Sequence, residues 1–326
     1  MKAFSCGVCG NALYFENSIC VSCGTRLGFS REQREIVPVD AAGEYVDPDG
    51  AVWHVCRNLK LAGCTWLTDV AGGDCFSCRL TRTRPNDEDA VGLKAFKVAE
   101  EAKRRLVVDL DARGFSIVPR TEDPENGLAF DLLSSVDRSV TTGHESGIIT
   151  LDLAEGDDAH REKVRIQLDE PYRTMLGHFR HEIGHYIEWQ YVRGELIGRA
   201  RELFGNEEAG YAEAIERHYA DGPPDGWEQR YISMYATMHP FEDFAETFAH
   251  YLHISDTIET AAAHGLATLE KPPELMPFRE LVVQVWMPLS IALNQINRSM
   301  GKGALYPFVI PSPVLDKLQF VADLPR

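Results

Sequence analysis

An α+β fold behind a cysteine-stapled N-terminus is what this 326-residue sequence predicts, and three observations predict it. All eight cysteines lie before residue 80, in two blocks of four. A segment of helical period, Ala90 to Arg113, is followed by three short strand-like runs. Beyond those runs the apolar pattern is mostly helical. The expected organisation is small zinc-ribbon-like modules over residues 1–85, four cysteines per zinc, and a larger domain over 86–326 made of a small sheet and a mostly helical second half.

The first cysteine block is Cys6-x2-Cys9-x10-Cys20-x2-Cys23. Each pair is a knuckle, in which two thiolates two residues apart grip one ion. Gly10 and Gly24 stand where the backbone must turn to aim amides at sulfur. A redox CxxC pair needs a βαβ context that this Gly-rich segment lacks. The second block, Cys56-x7-Cys64-x10-Cys75-x2-Cys78, has one clean knuckle. Gly63, Gly72 and Gly73 interrupt its helical potential, and its apolar residues look too few for an independent core, so a metal staple is expected there too. Both sites are structural on this reading, because four protein ligands leave no position for substrate. The stretch Val37 to Gly50 between them reads as a turn-rich connector or hairpin.

Charge narrows the partners. The net charge is −17, yet residues 1–85 hold nine basic and nine acidic side chains, so the remaining 24 basic and 41 acidic residues carry all of it. The longest basic run is Lys103-Arg104-Arg105, which disfavours nucleic acid as a partner. Four thiolates on each zinc add negative charge, so the ribbon region suits a protein partner or packing against its own chain. The N-terminus, MKAFSCGVCG, reaches its first cysteine pair before an apolar stretch of signal-peptide length can form. Leu281 to Leu293 is too short to span a bilayer and contains Gln284 and Pro288. Zinc-type cysteines without a leader imply a reducing compartment, so a cytoplasmic protein with no membrane association is expected.

After the Arg82-Thr83-Arg84-Pro85 boundary, Leu93, Phe96, Val98, Leu106, Val107 and Leu110 recur with helical period until Gly114. The strand-like runs are Phe115 to Val118, Leu128 to Leu133 and Ile148 to Leu153. The stretch Gly147 to Leu153 reads equally as an edge strand for an extended peptide or as a core strand.

The following helix contains His181-Glu182-Ile183-Gly184-His185. Residues i and i+4 share a helical face, so both imidazoles can converge on one zinc, with Glu182 beside the open position as general base. Phe179, Ile183 and Ile187 supply the opposite, apolar face. A metzincin would carry Gly at 188 and His at 191; Glu188 and Tyr191 reject that class. A gluzincin takes a Glu from a second helix, with an acidic residue one turn later to orient a ligand histidine. Pro240-Phe241-Glu242-Asp243-Phe244-Ala245-Glu246 fits that need, with Pro240 at the helix start and Glu242 and Glu246 on one face. Glu242 is therefore read as the third ligand and Glu246 as the partner of a ligand histidine; Glu246, Asp243 and His250 are the alternative ligands. His250 and His253, without a knuckle or a carboxylate cluster, do not suggest another metal.

The pattern E-x-x-A-E-x-F after an HExxH resembles the metallopeptidase domain of anthrax lethal factor and related gluzincins. In those enzymes a tyrosine seven residues before the ligand glutamate stabilises the oxyanion. Tyr235 stands in that place here, with Tyr231 as the alternative and His239 or His250 also within reach of the site. The segments TMLGHFRHEIGHY and HPFEDFAETFAHYLHI, after a cysteine-rich ribbon, are similar to a bacterial family of zinc-binding metallopeptidases with N-terminal zinc-ribbon regions. The 56 residues between His185 and Glu242 depart from the lethal-factor arrangement and constitute an insertion, which includes the turn Pro223-Pro224-Asp225-Gly226.

The expected function is zinc-dependent peptide-bond hydrolysis, by an endopeptidase in preference to an exopeptidase, acting on a peptide or protein. The expected metals are one catalytic zinc on His181, His185 and Glu242 and two structural zincs on the cysteines. Glu182 is the expected base and Tyr235 the oxyanion donor. The competing readings are a non-catalytic, zinc-stabilised protein-binding module and a zinc amidohydrolase acting on a non-peptide amide.

Overall fold

Packing sorts the described residues of this computed structural model (3–135, 139–167, 172–269 and 271–325) into two units. One comprises Met1–Val164 with Thr174–Leu176, the other Arg165–Arg173 with Gly177–Arg326. The chain is α+β: a cysteine-bearing N-terminal ribbon, a mixed sheet, then helices.

In the first unit, strands β1 (Phe4–Ser5) and β2 (Ala12–Leu13) flank the first cysteine knuckle. β3 (Leu27–Ser30) and β4 (Glu35–Pro38) form a hairpin, and β5 (Glu44–Val46), β6 (Val52–Val55) and β7 (Leu67–Thr68) an antiparallel three-stranded sheet. One-turn helices α1 (Leu59–Ala62) and α2 (Phe76–Arg79) carry the chain through the second cysteine block. This region does build a core of its own, contrary to the expectation from composition. Phe4, Phe15, Phe29 and Trp66 are all buried, with ring centroids 4.9 Å apart for Phe15–Phe29 and 5.1 Å for Phe29–Trp66. A few large aromatic rings bury as much area as many small aliphatics, which a count of apolar residues misses.

The segment read as a boundary is a strand. β8 (Thr81–Thr83) pairs in parallel with β9 (Ala129–Leu133), and the Arg82 guanidinium pairs with the Asp131 carboxylate on β9. Between them runs α3 (Ala90–Ala112), capped by the Asp89 side chain accepting from the Gly92 amide at 2.7 Å. Phe96, Leu106, Val107 and Leu110 are buried as their period predicts, but Val98 is exposed, while Glu100, Lys103 and Arg104 are buried. The helix is covered by β9 on one side and by α1 and α2 on another, so one polar face is enclosed. Lys103 answers burial by pairing with Glu100 at 2.6 Å and with the Thr81 hydroxyl.

The sheet order is β10 (Gly143–Glu145), β11 (Ile148–Asp152), β9, β8, with β10–β11 antiparallel and the other pairs parallel. β11 therefore has a partner on both sides, and its reading as an edge for a peptide lapses. Phe115 to Val118 is not a strand. Its Phe115 and Ile117 are buried, and just beyond it the chain makes an isolated bridge between Pro119 and Leu128. α4 spans Asp158–Gln167, and the division between the units falls within it, after Val164.

The second unit is helical: α5 (Met175–Tyr191), which enters it at Gly177, α6 (Glu195–Phe204), α7 (Tyr211–Asp221), α8 (Pro240–Ala263), α9 (Phe278–Leu281), α10 (Met287–Ser299) and α11 (Ser312–Ala322). α9 runs into α10 through a π-turn at Val282–Trp286, just before Pro288, whose ring removes the N–H that an α-turn onto Gln284 would use. Among the described residues no helix is long and apolar enough to cross a membrane. The core joins Phe179, Ile183 and Ile187 of α5, Phe244, Phe248 and Leu252 of α8, and Leu315 and Leu318 of α11.

α11 is also tied to α8 by charge. The Lys317 ammonium, 4% exposed as a residue, donates to Asp243 at 2.5 Å and to the Arg230 carbonyl at 3.0 Å. Burial pushes the Asp243 carboxyl up to about 7 despite that partner. Removing the cation strands a buried carboxylate, so Lys317→Met is expected to cost about 3 kcal/mol or more, read as a lowered urea midpoint. The double variant Lys317→Met/Asp243→Leu should recover most of that loss, because neither charge is then left unpaired.

Candidate metal centre

The two cysteine knuckles of the first block are built alike. The Gly10 amide donates to the Cys6 carbonyl and the Gly24 amide to the Cys20 carbonyl, both at 2.8 Å, with φ of 73° and 74°. Those left-handed turns need glycine. Cys6 Sγ lies 3.7 Å from Cys23 Sγ, and Cys9 Sγ 3.6 Å from Cys20 Sγ. In the second block the separations are 3.6 Å for Cys56–Cys78 and 3.5 Å for Cys64–Cys75. Four sulfurs held about 2.3 Å from one ion at tetrahedral corners stand about 3.8 Å apart, far longer than a disulfide. Both clusters fit zinc on that measure, and in each all four donor atoms lie within 4.8 Å of one another. The ionisation of the thiols agrees. Cys56 is pulled down by Cys64, Cys75 and Cys78, whereas Cys64 is pushed up by Cys56, and Cys75 by burial. Sulfurs this close cannot all be thiolates unless a cation sits among them. The clusters differ in depth: all four cysteines of the second are buried, while Cys9 and Cys23 of the first are exposed.

The third cluster comes from α5 and α8. Phe179, Ile183 and Ile187 bury one face of α5, which leaves His181 and His185 on the other. α8 starts at Pro240, and its N-cap is His239, whose Nδ1 accepts from the Phe241 amide at 3.1 Å. The helices cross where Gly184 meets Ala245: a Cβ on Gly184 would stand 2.8 Å from the Ala245 Cα. The histidines lie three residues before and one after Gly184, and the glutamates three before and one after Ala245. That crossing aligns the two pairs. Glu242 Oε2 is 3.0 Å from His181 Nε2 and 3.6 Å from His185 Nε2, while Glu246 Oε1 is 2.7 Å from His181 Nδ1. His181 Nδ1 thus donates to Glu246, and Nε2 is the nitrogen directed at Glu242.

The electrostatics favour a cation at this point. Burial disfavours a charged His181, yet Glu242 and Glu246 outweigh it and raise its pKa well above the usual histidine value. Burial likewise works against an ionised Glu242, and the two histidines more than offset it, holding that carboxyl far below the usual range. The same field accepts a proton or a metal ion. Two imidazole nitrogens and one carboxylate within 4.8 Å form a donor set that suits zinc and leaves a position open.

The other expected residues fall as follows. Glu182 is 6% exposed, and its Oε2 is buried with no hydrogen-bond partner among the described residues. Tyr235, in the one-turn helix Tyr235–Thr237, has its ring 5.7 Å from that of His181. Burial, with the charge of Glu242, raises its pKa, so its hydroxyl stays protonated and able to donate. Tyr231 instead faces the Lys317 ammonium, 4.4 Å from its ring. His250 Nδ1 meets the Tyr306 hydroxyl at 2.6 Å, Asp243 holds Lys317, and Arg180 pairs with Asp256 at 2.9 Å. One neighbour escaped the sequence reading: the Tyr211 hydroxyl, from the insertion, donates to Glu242 Oε1 at 2.7 Å. No periodicity links positions 211 and 242, so only the folded insertion reveals it.

Residues 3–89 match a zinc-ribbon domain, and residues 92–324 match the family described as "Putative zinc-binding metallo-peptidase". Curated relatives include "Uncharacterized protein Rv2568c" of Mycobacterium tuberculosis and "Uncharacterized protein Mb2598c" of Mycobacterium bovis. Each is 50% identical over 98% of this chain and 94% of its own length. No solved structure matches the chain.

Two outcomes are expected from this geometry. Gly184→Ala forces a methyl against backbone and should destabilise the protein by about 1–3 kcal/mol by urea unfolding, with weaker metal binding at the third cluster. Burial sets the order of loss to a chelator: the exposed first cysteine cluster should release zinc faster than the enclosed second. A Cys20→Ser variant should lack that fast phase.

Proposed function

The chain belongs to the zinc-binding metallo-peptidase family just described, and from that premise we propose that it is a gluzincin-type endopeptidase with its active site on α5 and α8. His181, His185 and Glu242 hold the catalytic zinc, Glu246 fixes His181 through Nδ1, and the eight cysteines hold two structural zincs. The observation that carries this reading is the division of roles around His181: Glu242 Oε2 faces Nε2 while Glu246 holds Nδ1.

When bound, the zinc supplies Lewis acidity, which acidifies the attacking water and polarises the scissile carbonyl. Glu182, adjacent to His181 and free of a hydrogen-bond donor at Oε2 among the described residues, takes the proton from that water and passes it to the leaving amine. Tyr235 donates a hydrogen bond from its hydroxyl to the carbonyl oxygen as negative charge develops there, a contribution of about 3 kcal/mol. A site kept only to bind metal needs its ligands and has no use for Glu182, which favours turnover over a purely binding role. Peptides are the substrate class of the family. The reading places the enzyme in a reducing, cytoplasmic compartment suited to its thiolate sites. It takes residues 1–85 as the ribbon region, which can dock a protein partner, and 86–326 as the peptidase domain.

Elemental analysis and a peptide screen test it. Three zincs per chain are expected in the wild type and two in His185→Ala. Glu182→Gln should keep three and lose cleavage by at least about 100-fold. Internally quenched peptides with blocked termini should be cut, as befits an endopeptidase. Undiminished turnover in Glu182→Gln would sink its role as base, and two zincs in both other proteins would empty the proposed site of metal. Cleavage confined to small non-peptide amides would move the substrate class.

A further inference from the structure

The insertion between the two ligand helices makes a direct contact with the metal cluster. Tyr211 is the first residue of α7, and its phenol is 40% exposed, but its hydroxyl reaches the almost fully buried Glu242. The two carboxylate oxygens are thereby separated. Oε2 is the one near both histidine Nε2 atoms, and Oε1 is the one that accepts from Tyr211 at 2.7 Å.

The contact is anchored independently of the hydroxyl. His239, the buried N-cap of α8, accepts from the Phe241 amide through Nδ1 and so carries its proton on Nε2, which donates to the Ala209 carbonyl at 3.0 Å. The rings of His239 and Tyr211 stand 5.1 Å apart. The segment leading into α7 is therefore fastened to the turn of α8 that begins three residues before Glu242. On the approach to it, Arg201 pairs with Glu207 at 2.7 Å and with Glu208 at 2.8 Å. A phenol held this way can only donate to a carboxylate, and a donor on Oε1 disfavours use of that oxygen on a metal.

We propose that Tyr211 is a positioning residue for the catalytic zinc: it holds Oε1 of Glu242 away from the metal, so that the carboxylate ligates through Oε2 alone and a position stays open for water and substrate. This rests on the reading of Glu242 as a zinc ligand. It makes the insertion part of the metal site, and it gives the tyrosine a role distinct from that of Tyr235, which acts on substrate.

Tyr211→Phe removes the hydroxyl and keeps the ring. Zinc affinity at the third site, measured by competition with a chromophoric chelator, is expected to fall about tenfold or more. The two cysteine-bound zincs should stay in place. The kcat for a peptide substrate should fall while KM stays within about twofold, because the hydroxyl orients a ligand and does not bind substrate. Tyr219→Phe, the same change at an exposed position of the same helix, should leave zinc affinity at the wild-type value. Affinity for the third zinc within twofold of wild type in Tyr211→Phe would overturn the inference, as would an equal loss in Tyr219→Phe, which would point to a general effect on α7. His185→Ala separates the two levels. If it loses one zinc while Tyr211→Phe binds normally, only the role of Tyr211 falls; if it loses none, the active-site reading falls and takes this one with it.

Discussion

Two helices can bring two histidines and two glutamates onto one point only if their backbones come close, and here the approach is made by Gly184 against Ala245. A Cβ on the glycine would already stand inside contact distance of the Ala245 Cα, so the pair sits near the lower limit of helix separation. Everything polar follows from that limit. The histidines and glutamates occupy equivalent offsets from the two small residues, so each helix presents its pair to the other across the crossing. The apolar residues on the far sides, Ile183 and Ile187 on one helix and Phe244 and Phe248 on the other, are fully buried and fix the rotation of each helix about its own axis. Rotation and separation together aim the side chains. The spacing within the HExxH is thus only half of the geometry; the glycine inside it is the other half.

The ribbon obeys a different constraint. It holds strands of two to four residues and one-turn helices, none of which is stable by itself. Two sets of four sulfurs and one cluster of aromatic rings fasten these pieces together. The second sulfur cluster is enclosed by protein, with the Cys75 amide directed at Cys56 Sγ at 3.4 Å, whereas the first has two cysteines open to solvent. Close to the enclosed cluster, α3 carries the buried Lys103 and Arg104, and the charge of Lys103 acts on Cys78 to favour its thiolate. The Lys103 charge is thus turned inward, where it favours sulfur that becomes anionic when it ligates metal.

Legibility in the sequence followed the range of the interaction. Contacts at i, i+4 were readable: His181 with His185, Glu242 with Glu246, and the knuckle cysteines with their glycines. The choice between Glu242 and Glu246 was less so, because both occupy one helical face, and what separates them is which nitrogen of His181 each one meets. Alternation revealed β9 and β11 but could not say that β11 lies between two partners, nor that the chain after Phe115 would make only an isolated bridge. The composition change at residue 85 was real, yet packing joined β8 to the sheet beyond it, since strand pairing depends on backbone and not on composition. Tyr211 was beyond reach for the same reason in its strongest form. Its partner lies 31 residues away, and no local rule relates them.

The carboxylates of α5 and α8 show how one chemical group takes several roles through its partners. Asp243 faces a buried ammonium and fastens the C-terminal helix. Glu246 faces an imidazole N–H and is held as an anion against burial, which keeps His181 in one tautomer. Glu242 is fixed at both oxygens, by histidines on one side and a phenol on the other. Each of these three has a partner that removes its freedom to exchange protons near neutral pH or ties it to structure. Glu182 lies on the same helix as the histidines, and its Oε2 has no such partner among the described residues. A group that must take a proton from one atom and hand it to another needs an unoccupied lone pair at the start of the cycle. Asp243 Oδ1 is likewise without a partner among the described residues, but its other oxygen is tied to Lys317; under the proposed function it is the place of Glu182 beside His181, together with its open Oε2, that suits it to proton transfer.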